Sequence, residues 1–221
     1  YDRIITSEDD NEFSPCFLDF MNQALTKYRD DERVRSVGGY LSPTFISDDT
    51  TNNVIYTYST TAWGLGIWKH KEQDVFDFDY NHVIKDKKKS WKLFKTVPGC
   101  WAMLYRILKK GLNYGDVKRE TYNCMNGTFQ VRPYISLVRN WGNDGSGAHC
   151  VTDNERFVSA NILQNKIYGD LSDCEVTLSI SRSKMFFHNL PPRNTLRCWL
   201  VLGKYFAIFL KSLISNTTSH N

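Results

Sequence analysis

Residues 1–21 read YDRIITSEDDNEFSPCFLDFM, and the rest of the chain is read outward from them. An apolar pair, Ile4 and Ile5, leads almost directly into three neighbouring carboxylates, Glu8, Asp9 and Asp10. Like charges side by side raise one another's pKa unless a cation or water separates them. Two arrangements satisfy that chemistry: an acidic turn solvated by water, or a divalent cation that gathers the carboxylates. If residues 8–10 are extended, Glu8 and Asp10 project to one side and Asp9 to the other. Two oxygens on one side make a hard site suited to Mg2+ or Mn2+ bridging a diphosphate. The following SPCFLDFMNQALTKYRDD predicts a helix with Ser14 as N-cap and Pro15 at its first position. Its apolar stripe is Phe17, Leu18, Met21, Leu25 and Tyr28. A strand, an acidic loop and a helix in that order put the carboxylates at the C-terminal edge of a sheet, where ligands of open α/β sheets bind.

Further along, VRSVGGYLS predicts a buried strand ending in a glycine pair, SDDTTNN a polar loop and VIYTYSTT a β-rich run. WGLGIWKHKEQDVFDFDY reads as loop passing into a short helix. KDKKKSWKLFK is basic and amphipathic, either a solvated helix face or a contact for phosphates or lipid head groups. PGCWAMLYRILKKGL predicts a buried helix closed by Gly111. TFQVRPYISLVRNWG contains a strand, and the glycine-rich loop NDGSGAHC follows it. Strands alternating with helices predict an α/β fold in layers. In TLRCWLVLGKYFAIFLKSLIS, Arg197, Lys204 and Lys211 fall seven residues apart along one edge of an otherwise apolar helix. Internal charges and a glycine argue against a membrane span. The segment predicts either a helix lying in the membrane interface or one packed on its own domain with snorkelling cations.

At 221 residues the chain is long enough for a substantial core, and 24% charged residues are ordinary for a soluble globular protein. The aromatic share of 14% suits a cleft that stacks on rings. A net charge of +4 is too mild and scattered to indicate nucleic acid, but is compatible with an anionic ligand or membrane surface. Six cysteines at wide spacings without a C-x-x-C pair read as reduced, buried thiols of a cytoplasmic chain. Asn126 and Asn216 lie in N-x-[ST] sequons, which matter only in a secreted chain. A chain that opens at Tyr1, inside a strand, reads as a piece of a longer protein.

Four ordered blocks, IITSEDDNEFSPCFLDFMNQAL, VRSVGGY, STTAWGLGIWK and SLVRNWGNDGSGAHC, carry a resemblance. They resemble the landmarks of bacterial sugar transferases with a GT-A-type, Rossmann-like nucleotide-sugar fold, and are similar in layout to N-acetylglucosaminyltransferase I. The resemblance implies a GT-A-like domain over 1–155, lacking its N-terminal nucleotide-binding strands, and a C-terminal extension over 156–221 ending in the amphipathic helix. The acidic triplet matches the family's D-x-D-type motif. By the resemblance, Asp10 would bind Mn2+ or Mg2+ on the diphosphate of a nucleotide-sugar donor, with Glu8 and Asp9 reaching the metal through water or touching the donor. Trp63 and Gly64 would shape the sugar site, and Ser146 and His149 would belong to a loop closing over the diphosphate. Trp68 reads equally as a core residue.

An inverting transferase needs a carboxylate to take the acceptor's proton. The family carries it at the start of the helix that here begins VPGCWAML, where this chain has Gly99, Cys100 and Trp101. Asp144, by its loop context, and Asp116 or Glu120 are the alternatives. The function implied is transfer of a sugar to a surface glycan or lipid-linked oligosaccharide, by an enzyme peripheral on the inner face of a bacterial membrane. The alternative is a non-catalytic carbohydrate-binding or membrane-associated fragment, which the missing carboxylate favours. A nucleotidyltransferase would want a basic, glycine-rich phosphate loop near the N-terminus, and the sequence has none there.

Overall fold

The computed structural model describes residues 1–41, 54–142 and 196–215. Their strands are β1 (Arg3–Thr6), β2 (Asn11–Phe13), β3 (Val34–Gly38), β4 (Val54–Thr57), β5 (Leu65–Trp68), β6 (Phe129–Pro133) and β7 (Val138–Asn140). Their helices are α1 (Phe17–Lys27), α2 (Lys69–Asp77), α3 (Tyr80–Lys85), α4 (Lys87–Thr96), α5 (Pro98–Lys110), α6 (Gly115–Asn126) and α7 (Leu196–Ser215). The fold is mixed α/β. Five strands form one sheet in the order β1-β5-β3-β6-β4, and β2 pairs with β7 in a separate two-stranded ribbon. Within the larger sheet β3 and β6 are parallel and the other neighbours antiparallel. Strands β1, β3 and β6 therefore run in one direction, and their C-terminal ends share one rim.

Helix α1 covers the larger sheet with Phe17, Phe20, Met21, Ala24 and Leu25, all buried. It begins at Phe17, later than its sequence predicts. The reason lies in the ribbon: the Ser14 N–H donates to the Leu137 carbonyl at 2.9 Å, prolonging the β2–β7 ladder and holding Ser14 outside the helix. The Ser14 hydroxyl accepts the Cys16 N–H, so it closes the turn before the helix instead of capping it. Leu18, placed by the sequence on the apolar stripe, is exposed. Gly66 lies directly under α1, where a β-carbon would meet the Met21 and Leu25 side chains. That close approach corrects the reading of WGLGIW as loop. It is strand β5, between β1 and β3, with Trp68 fully buried and its indole N–H donated to the Leu25 carbonyl. TFQVRPYISLVRNWG likewise gives two strands, one in each sheet.

A second core joins α3 to α7 through Val83, Leu93, Trp101, Leu104, Tyr122 and Phe209. Helix α5 closes at Gly111 in the left-handed region, φ 65°, as the sequence predicts. The thiols of Cys16, Cys100 and Cys124 are free and buried.

One cation locks the two layers. Lys71 of α2 is buried, and its ammonium donates to the carbonyls of Tyr28, Asp31 and Val34 at 2.9–3.0 Å while lying 4.4 Å from the Trp68 ring centroid. All three of its protons are used on the connection between α1 and β3. Lys71→Met keeps the stem and leaves three carbonyls without their donor. We expect it to cost about 2–4 kcal/mol of stability and to lower Tm by roughly 5–15 °C, measured by urea and thermal unfolding.

Candidate functional site

The acidic triplet falls between β1 and β2, with Asp9 and Asp10 in a turn. The turn ends the extended alternation under which Glu8 and Asp10 share a side; the two carboxylates engage different elements instead. Glu8 accepts the Trp63 indole N–H at 2.8 Å. Asp10 accepts the side-chain N–H of Asn140 at 2.7 Å, and its carbonyl accepts the Trp141 N–H at 2.9 Å. Asn140, buried at the end of β7, also donates to Asn11 and accepts the Gly142 N–H. Glu12, beside this network, receives Arg139 and the Trp141 indole. The ribbon thus fixes Asp10, and the larger sheet fixes Glu8.

The segment that carries Trp63 leaves β4, crosses the sheet and enters β5. A buried cation holds its start. Arg132 of β6 donates one nitrogen to the Tyr40 carbonyl at 3.2 Å and another to the Ser59 carbonyl at 2.7 Å. Trp63 then meets Tyr40 edge to face, with ring centroids 4.6 Å apart. Gly64, predicted beside the donor, is buried with φ 66°, and a β-carbon there would strike the Phe17 ring. Packing and backbone conformation both require glycine at that position.

The same segment reaches the head of α6. Thr60 donates its hydroxyl to the Asp116 carbonyl at 2.9 Å, and the Asp116 carboxylate accepts the Ala62 N–H. Asp116 is half-buried, and partial loss of water raises its pKa; Arg119, the Ala62 N–H and Arg132 pull it down, while Glu8 pushes it up. Glu120, one turn further on, is buried, and desolvation pushes it up to about 7 against the attraction of Arg132. Arg132 itself is brought down to about 10 by burial. Of the two described carboxylates suggested as the proton acceptor, Asp116 is bound to the Trp63 segment through Ala62 and Thr60, whereas Glu120 is enclosed.

The head of α5, where the resemblance implies a carboxylate, points elsewhere. Cys100 there is buried, its thiol directed to the Val117 carbonyl and Thr121 inside the α5–α6 packing. Trp68 is core. Asp144, Ser146 and His149 lie outside the described residues. Among the described residues no three His, Cys, Asp or Glu side chains converge on one point. A cation at Asp10 would therefore take one carboxylate from the protein and the remaining oxygens from a diphosphate and water, the usual arrangement for Mg2+ beside a phosphorylated substrate. Gly142 packs closely on the Asp10 carboxylate, and a β-carbon there would collide with its second oxygen, so the position requires glycine. A separate hollow of about 440 Å³ between β1 and α2 includes none of these residues.

Asn140, Arg132 and Tyr40 were not singled out from the sequence. Arg132 carried a signal, a charge inside the otherwise apolar FQVRP strand; Asn140 carried none, since its role depends on the pairing of β2 with β7. No protein-family model matches this chain, and no curated protein matches it.

Glu120 supplies a pH test. Its folded pKa lies above the unfolded value of 4.5, so the native state holds the extra proton between the two. The contribution of Glu120 to stability is full at and below pH 4.5, declines as pH rises to about 7, and is flat above that. Glu120→Gln removes the titration. Its Tm relative to the unmodified chain is expected to rise by several degrees between acid and neutral pH, and a constant difference would rule out the assignment.

Proposed function

We propose that this chain is part of a metal-dependent glycosyltransferase with a GT-A-like arrangement. It moves a sugar from a nucleotide-sugar donor to a glycan or lipid-linked acceptor with inversion. The observation that carries this reading is the rim itself. An acidic turn is held between an indole and a buried amide, and a second carboxyl, Asp116, is held by the segment that carries that indole.

Asp10 would hold Mn2+ or Mg2+, with Asn140 orienting its carboxylate. A cation bound there supplies Lewis-acid neutralisation of the diphosphate leaving group. Trp63, fixed by Glu8 and Tyr40, forms an apolar wall for the C–H face of a sugar. Asp116 takes the proton of the acceptor hydroxyl; that oxygen bonds to the anomeric carbon as the bond to the diphosphate breaks on the opposite side. Its raised pKa suits a carboxylate that must accept a proton near neutrality.

Calorimetric titration with UDP and Mn2+ tests the metal role: binding is expected to require Mn2+ and to vanish in Asp10→Ala. Asp116→Asn is expected to retain that binding while transfer falls by about 10²–10⁴-fold. Sugar binding that is indifferent to metal and to both substitutions would point instead to a carbohydrate-binding module.

A further inference from the structure

We propose that α4, α5 and α7 together form a docking face for an anionic lipid bilayer, independently of the reaction assigned above. Of the chain's 28 Lys and Arg, eleven lie on these three helices, and none of its 24 Asp and Glu do. The three helices therefore carry +11 and the remaining residues −7, a separation hidden in the net charge of +4.

The helices pack together through aromatic rings. Phe209 of α7 is 3% exposed and lies against Trp91, Phe94 and Trp101, with centroids 4.7–5.6 Å away. That contact uses only one side of α7. At 100° per residue, Tyr205, Phe209 and Ser212 face the domain, with Phe206 at their edge 6.0 Å from the Phe94 ring, whereas Leu196, Trp199, Leu200 and Leu210 form a second apolar stripe on the solvent side. Trp199 is 63% and Leu200 65% exposed. Lys204 and Lys211, exposed and seven residues apart, stand between this stripe and the packed face. On α4 the half-exposed Trp91 touches Phe209 and is flanked by exposed lysines, among them Lys88 and Lys95.

Apolar and aromatic side chains bordered by cations are the chemistry of a helix lying in a lipid interface: rings and aliphatic chains enter the acyl boundary, and lysines meet phosphate head groups. A nucleic acid would use the lysines but would leave the Leu196–Leu210 stripe in water. No helix among the described residues is long and apolar enough to cross a membrane, so the contact is peripheral.

Sedimentation of the full chain with vesicles tests the proposal. Binding is expected to phosphatidylcholine vesicles containing phosphatidylglycerol and not to phosphatidylcholine alone, with a blue shift in tryptophan emission. The Leu200→Ser/Leu210→Ser variant removes outward apolar area, and Lys88→Gln/Lys95→Gln removes charge while leaving α7 untouched. Each is expected to weaken partitioning at least about tenfold with an unchanged Tm. If the serine variant unfolds, the glutamine variant alone decides. Failure to bind anionic vesicles, equal binding to both vesicle types, or binding that survives both substitutions would overturn the proposal. So would stronger retention by single-stranded RNA, insensitive to the serine pair, which would mark a nucleic-acid face.

Discussion

The arrangement of the rim depends on a guanidinium buried in a sheet. Arg132 occupies the second-last position of β6, a strand with all five residues buried. A charge in that position is expensive, and it persists because two carbonyls, those of Tyr40 and Ser59, accept from it. Those carbonyls belong to the chain leaving β3 and the chain leaving β4. Fixing them fixes the crossing segment, and the crossing segment carries both Trp63 and the Ala62 N–H that holds Asp116. The same charge acts at longer range, opposing the desolvation that raises Glu120 and Asp116.

The acidic turn is a seam between two sheets. Glu8 follows β1 in the larger sheet and is held by Trp63; Asp10 precedes β2 in the ribbon and is held by Asn140. Three neighbouring carboxylates are tolerable because the chain turns between them and provides separate neutral donors for two. A turn anchored at both ends holds its two carboxylates in place before any ligand approaches.

Charge is segregated on a larger scale as well. Helices α4, α5 and α7 carry basic charges alone, while the acidic turn gathers Glu8, Asp9, Asp10 and Glu12 on a short stretch of chain. The acidic turn and the cationic, aromatic flank therefore use different side chains, so the two proposed roles do not compete for the same groups.

Local pattern alone determined a good part of the protein. The heptad spacing of Arg197, Lys204 and Lys211, the closure of α5 at Gly111, the buried thiols and the apolar runs of β3 and β4 follow from periodicity and turn chemistry confined to a few residues. The acidic triplet was visible for the same reason. Tertiary structure decided what those pieces face. Gly66 reads as a loop glycine until α1 lies on it, Ser14 reads as a cap until β7 claims its N–H, and Asp116 is one acid among many until Ala62 reaches it. Each of these depends on a partner tens of residues away, and no local rule records a hydrogen bond that only chain folding brings within 3 Å.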